Sequence, residues 1–219
     1  IYCTIPTADL MPIMLEDAIQ LGITRKKHIV NEYLRNLKKL IRPIEYGEWF
    51  TPSASTRARF SNAGHVLGSA YVDIETKDQR IVFSGDLGSH SAPLLNTPES
   101  PERADCLILE STYGDRNHED RTDRMQRLKV VLERTIENEG VTIIPAFSLG
   151  RTQELLYEMN YILEDIGKKR EGTTLSNVAI IVDSPLALKL SEIYNNMKPY
   201  WGSEAQKILD IDAQPLVFK

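Results

Sequence analysis

The sequence is poor in cysteine, with two thiols, Cys3 and Cys106, in 219 residues. That excludes a disulfide framework and a Cys-rich zinc knuckle; each thiol sits in an apolar, strand-like run, so both are expected to be buried small residues. No apolar run approaches the roughly 18 residues that span a bilayer, and no basic stretch leads into an apolar one at the start. A cytoplasmic protein without a membrane partner is the expectation. Positive charge is also short. The net charge of −5 and pI near 5.5 argue against nucleic-acid binding over a general basic surface, so any polyanion must be gripped locally. There is no H-x-H or D-H pair, and the histidines are His28, His65, His90 and His118. An initiator methionine is missing too: the chain opens at Ile1 inside the strand-like IYCTI, which leads us to expect a piece of a longer protein.

What is present is ordinary globular composition, 42% hydrophobic and 26% charged, enough for one large domain or two small ones with a real core. After the opening strand, Thr7 and Asp9 offer capping oxygens to a helix with Pro12 in its first turn. Residues 24–41 have helical spacing and end before Pro43. They carry Arg25, Lys26, Lys27, His28, Arg35, Lys38 and Lys39, readable as a solvated face or as a phosphate-tracking one. Short runs rich in β-branched and aromatic residues follow, GEWF, ARFSNAGHV, YVDIET and RIVFSG, with KDQR as a hairpin turn, and these predict an antiparallel meander. From DCLILE onward strand and helix alternate. A helix over residues 120–139 closes with Gly140 at its C-cap, VTIIPAF is expected as a buried strand, and NVAIIVD enters a further helix at Pro185. That rhythm predicts a parallel sheet with right-handed crossovers, so the fold class is α/β.

Three polar residues stand where apolar strands break into turns: His65 in AGHVLGSA, Asp86 after RIVFSG, and Glu110 after CLIL. One imidazole and two carboxylates at neighbouring strand ends suit zinc or manganese. By spacing alone the signal is weak, because polar residues at strand ends are common in ordinary loops.

Taken together and in order, AGHVLGSA, FSGDLG, LESTYGDR and PAFSLGRTQELL resemble the third and fourth metallo-β-lactamase motifs, motif A of the β-CASP subfamily, and the strand-to-helix turn of its inserted domain. The chain is thereby similar to the family that includes the endonuclease subunit of the messenger-RNA 3′-end cleavage complex and related bacterial and archaeal nucleases. The resemblance runs from TADLMPIML to VDSPLA. It implies part of a metallo-β-lactamase αββα sandwich in residues 1–115 and the start of an inserted parallel-sheet β-CASP domain in residues 116–219. It also implies zinc-dependent hydrolysis of single-stranded RNA at two ions, with His65 ligating one, Asp86 bridging both, and Glu110 orienting a histidine. The family's HxHxDH motif and its later histidines are absent, and His65 with Asp86 cannot close a tetrahedral site. The 219-residue chain is therefore expected to bind zinc weakly or not at all and to be inactive alone. Truncation is favoured over degeneration to a non-catalytic scaffold that binds an active nuclease partner, because His65, Asp86 and Glu110 are all kept. A homodimer, and a small-ester or thioester hydrolase, are the other readings considered.

Ser148 and Arg151 in PAFSLGRTQE open a helix, where free N–H groups favour an anion; an RNA phosphate is one reading, and a capping turn with Arg151 paired to Glu154 is the other. Ser184 before Pro185 is expected as an N-cap. His90 is read as a loop residue, His118 as packing at a domain junction, His28 as exposed, and Asp115 with Arg116 as a structural pair.

Overall fold

The structure, a computed structural model, describes residues 1–90, 92–117, 123–169 and 178–208. His118 and most of the polar loop that follows Lys168 lie outside the described residues. The chain starts with β1 (Tyr2–Thr4), α1 (Ile5–Gly22), α2 (Lys27–Leu40) and β2 (Arg42–Ile44), and β1 and β2 pair in parallel. Thr4, not Thr7 or Asp9, caps α1: its hydroxyl accepts the Thr7 N–H at 3.3 Å. The helix therefore starts earlier than its Asp9 suggested, and Pro12 falls in its interior rather than its first turn.

A five-stranded sheet follows, in the order β3 (Trp49–Ser53), β4 (Thr56–Asn62), β5 (Ala70–Glu75), β6 (Arg80–Phe83) and β7 (Cys106–Ile108). The first four are the expected antiparallel meander, with Thr76 and Gln79 bonding across the KDQR turn at 2.9 Å. The last pair, β6 with β7, is parallel. Alternation with period two puts Ala58 and Phe60 inward on one face of β4. On the other face Asp73 is wholly buried, and the guanidiniums of Arg80 at 2.9 Å and Arg59 at 3.2 Å neutralise it. Burial of that carboxylate is tolerable only because both oxygens are bonded to cations. Cys3 is buried as expected, but Cys106 is exposed, on β7, which is an edge strand among the described residues.

The second half is helical: α3 (Arg124–Glu137), α4 (Arg151–Lys169), α5 (Pro185–Asn196), a 3₁₀ turn (Lys198–Tyr200) and α6 (Ser203–Ile208). Leu155, Leu156, Met159 and Ile162 of α4 join Leu190 and Tyr194 of α5, Trp201, and Leu10 and Leu67 from the first half in one core. The two segments expected as strands of a parallel layer, residues 141–147 and 178–183, have no ladder among the described residues. They keep the alternation of a strand. Ile144, Ile180 and Val182 pack on the helical core, whereas Val141, Ile143 and Ile181 point outward at 88%, 88% and 84% exposure. VTIIPAF is thus covered on one face instead of both. The whole is a mixed α/β fold, a multi-stranded sheet flanked by helices, consistent with part of an αββα sandwich and an inserted α/β subdomain. Among the described residues no helix is long and apolar enough to cross a membrane.

Candidate functional site

Two turns meet at the end of the sheet. The first, residues 63–69, links β4 to β5 and carries His65. Ser69 holds it from inside, its hydroxyl accepting the N–H groups of His65 at 3.0 Å and Val66 at 3.2 Å. The hydroxyls of Thr4 at 2.7 Å and Thr7 at 2.9 Å donate to the Gly68 carbonyl, and Tyr46 donates to the Ser69 carbonyl at 3.0 Å. From the helical half, the buried Tyr194 hydroxyl accepts the Leu67 N–H at 3.0 Å. Most of the turn's backbone N–H groups are thereby satisfied, which is what a loop in this partly buried setting requires.

The second turn, residues 84–88, follows β6 and carries Asp86. It is zipped to the end of β7: Ser84 N–H donates to the Ile108 carbonyl at 2.9 Å, and Glu110 N–H donates to the Ser84 hydroxyl at 2.9 Å. The Glu110 carboxylate accepts the Leu87 N–H at 2.6 Å. That bond first, and the Thr112 hydroxyl second, hold Glu110 below the usual carboxylate range, with the nearby His65 ring adding to the effect. Gly88 N–H then donates to the Ala63 carbonyl at 2.8 Å, so the two turns are bonded directly to each other.

This arrangement brings His65 Nε2 within 4.0 Å of Asp86 Oδ2, both side chains open to solvent. Two ligands on a tetrahedral zinc, at bonds of about 2.0–2.1 Å, lie roughly 3.3 Å apart. The pair is therefore about 0.7 Å wider than such a zinc holds, and the Asp86 side chain is exposed. As a donor set, one imidazole and one carboxylate fit zinc but supply half of the coordination it needs, and among the described residues no third histidine, cysteine or acid joins them. Glu110 faces the Leu87 amide rather than the point between His65 and Asp86. His90 is exposed, on the rim of a cavity of about 280 Å³ that lies under the Asp86 turn, lined by Tyr71, Val82, Leu87 and Leu107 among others.

The turn before α4 lies against the His65 loop. A Cβ on Gly150 would meet Val66 Cγ1 at 2.9 Å, so the approach there needs glycine. Ser148 Oγ stands 3.4 Å from Ser184 Oγ, which caps α5 by accepting the Ala187 N–H at 3.1 Å. Arg151 is paired with Glu154 at 3.1 Å, and the buried Gln153 accepts the Gly150 N–H at 2.8 Å. The Asp115–Arg116 pair forms at 3.1 Å, and His28 is exposed on α2. Sequence reasoning missed Ser69, Tyr194, Gln153 and Gly88. Gly88 carried a signal, the second glycine of GDLG, whereas the others have none apart from the tertiary fold.

Known proteins align with nearly all of this framework. A ribonuclease of Thermus thermophilus, TTHA0252, is 34% identical over 206 residues, covering 94% of this chain and 45% of that protein. An RNase J-like protein of Methanocaldococcus jannaschii is 37% identical over 185 residues, 83% of this chain and 42% of its own length. Subunit 3 of the cleavage and polyadenylation specificity factor of Dictyostelium discoideum is 30% identical across 100% of the chain, 28% of that subunit. The chain thus spans less than half the length of these relatives. No protein-family model matches it. Motif order, the α/β framework and these likenesses agree, and the chain belongs to the metallo-β-lactamase/β-CASP nuclease family.

Proposed function

We propose that this chain is part of a zinc-dependent ribonuclease that hydrolyses phosphodiester bonds of single-stranded RNA in the cytoplasm. Residues 1–115 would form its metallo-β-lactamase part and residues 116–219 its β-CASP part. The observation that carries the reading is the 4.0 Å approach of His65 Nε2 to Asp86 Oδ2 on two turns that are bonded to each other. His65 and Asp86 are the residues that would hold zinc. When bound, zinc lowers the pKa of water and offsets charge on phosphate oxygens. The protein's own contribution is placement: Glu110 fixes the Leu87 amide and hence the Asp86 turn, and Ser69 fixes the backbone of His65. Ser148 and Arg151, on the turn that touches the His65 loop, would meet an RNA phosphate, with Arg151 released from Glu154.

Two of four zinc ligands do not make a working centre, so the 219-residue chain alone is expected to be inactive. The test is Asp86→Ala in a form of the protein that cleaves labelled single-stranded RNA. Turnover and zinc content should both collapse while RNA affinity persists; full activity in that variant would remove Asp86 from the site.

A further inference from the structure

We propose that the outer face of α2 is a docking surface for single-stranded RNA, which tracks phosphates along the helix. This rests on the ribonuclease reading and names a place where the substrate is held. Residues 24–42 contain seven of the chain's 26 lysines and arginines but one of its 31 acids, a local charge of +6 against −11 for the rest. The segment, most of which is α2, is thus net positive in a chain that is otherwise net negative.

On the helix, Lys27, Asn31, Arg35 and Lys38 recur at three- and four-residue spacing along one side, with His28 and Lys39 beside them, and all are exposed. Val30 and Leu37 on another side are buried against the protein. Among the described residues, none of Lys27, Arg35, Lys38 and Lys39 has a carboxylate partner. Lys38 and Lys39, in the last turn, meet the favourable end of the helix dipole, but no acid balances the four cations among the described residues. Arg35 and Lys39 are like charges four apart, which destabilises a helix. Lys26 and Lys27 stand at the N-terminal end, where the macrodipole disfavours cations, and the first turn has no acid and no side-chain cap. A helix that concentrates uncompensated cations in an otherwise acidic chain is complementary to a polyanion outside it.

Geometry selects among polyanions. The exposed apolar residues of α2, Ile29, Tyr33 and Leu40, lie on the side away from Lys27, Arg35 and Lys38. If that apolar strip entered a lipid surface, the cations would point away from the headgroups, the reverse of a membrane-surface helix. An extended chain of phosphates meets no such conflict, and at about 1.5 Å of rise per residue the helix is about 20 Å long, enough to run beside several nucleotides.

The test is binding of a labelled oligouridine to the full chain at several salt concentrations, with Lys27→Gln/Arg35→Gln/Lys38→Gln beside the parent. The three positions are exposed, and circular dichroism checks that the fold is kept. Three lost phosphate contacts at about 0.7 each reduce the slope of log K against log salt by about 2, which at about 0.15 M salt is roughly a 50-fold loss of affinity. An unchanged slope overturns the docking surface. If the parent's slope is reduced by Arg151→Gln and not by the triple variant, RNA binding survives and α2 is excluded from it. If the parent binds no RNA, the docking surface is overturned, while the ribonuclease reading still stands or falls on Asp86→Ala in a cleaving form. Binding to anionic phospholipid vesicles, or to an acidic protein, that the triple variant abolishes while oligouridine binding is unaffected also overturns it.

Discussion

Substituting Gly88 by alanine should separate the His65 and Asp86 turns. A Cβ at Gly88 would stand 1.8 Å from the Gly64 carbonyl oxygen and 2.1 Å from its carbon, and both are backbone atoms that no rotamer can move aside. Carbon and oxygen ordinarily come no closer than about 3.3 Å, so the turns must part by roughly 1.5 Å. The Gly88-to-Ala63 hydrogen bond breaks with them, at about 1 kcal/mol, and crowding adds about 1–3 kcal/mol. If the movement passes to the side chains, the 4.0 Å between His65 and Asp86 widens to roughly 5.5 Å, beyond the about 4.3 Å that two zinc bonds can bridge. Gly85→Ala is the control. Its nearest contact would be 3.6 Å, and the cost is the left-handed backbone at φ 54°, about 1–2 kcal/mol. Urea unfolding should therefore show the Gly88 variant losing about 3 kcal/mol and clearly more than the Gly85 variant, and zinc content in a cleaving form should fall only for Gly88. Equal losses would refute the claim that this close approach sets the site.

Tyr194→Phe leaves the Leu67 N–H buried without a partner and should cost about 1–3 kcal/mol, with faster exchange of that amide; an unchanged exchange rate would show that the bond does not hold the loop. Glu139 takes φ 50° after α3 while Gly140 N–H closes the turn on the Thr135 carbonyl, so Glu139→Gly should raise stability by about 1 kcal/mol in a thermal melt. A lower melting point would count against the assignment. The Asp105 carboxylate accepts the Arg80 N–H at 2.8 Å, and that bond first, then Arg103, holds it below the usual carboxylate range. A depressed folded value means stabilisation that is complete above the unfolded carboxylate pKa of about 4 and lost as pH falls through the lower folded one. Urea midpoints of Asp105→Asn should accordingly be flatter than the parent's over that acid range, and parallel curves would exclude the linkage.

The antiparallel meander is legible because period-two alternation and KDQR are local signals, and so is the Ser184 cap, whose Pro185 sits beside it. His65, Asp86 and Glu110 could be picked out because each ends an apolar run. What places them could not. Tyr194 bonds an amide 127 residues away, and Gly88 is constrained by the backbone of Gly64 rather than by its own φ. The burial of Cys106 was misjudged because an apolar run looks the same whether its strand is central or at an edge. Residues 141–147 show the same ambiguity: VTIIPAF reads as a strand covered on both sides, and the number of layers that cover it is not a local property. At the end of α3 the Asn-Glu-Gly sequence points to glycine for the left-handed position, but the helix stops one residue sooner and Glu139 takes it.

The position of His65 is a joint property of both halves of the chain. Thr4, Thr7 and Tyr46 hold its loop from the first half, whereas Tyr194 and the close approach of Gly150 to Val66 hold it from the second. Parting the halves would break the buried Leu67–Tyr194 bond, at about 1–3 kcal/mol for the stranded N–H, and uncover Leu67, whose full burial is worth roughly another 1.5–3 kcal/mol. Both costs fall on residues next to the imidazole. The turn before α4 can therefore retreat from the sheet only by loosening the His65 loop, so under the proposed function the surface offered to a substrate and the geometry offered to a metal would be set by the same contacts.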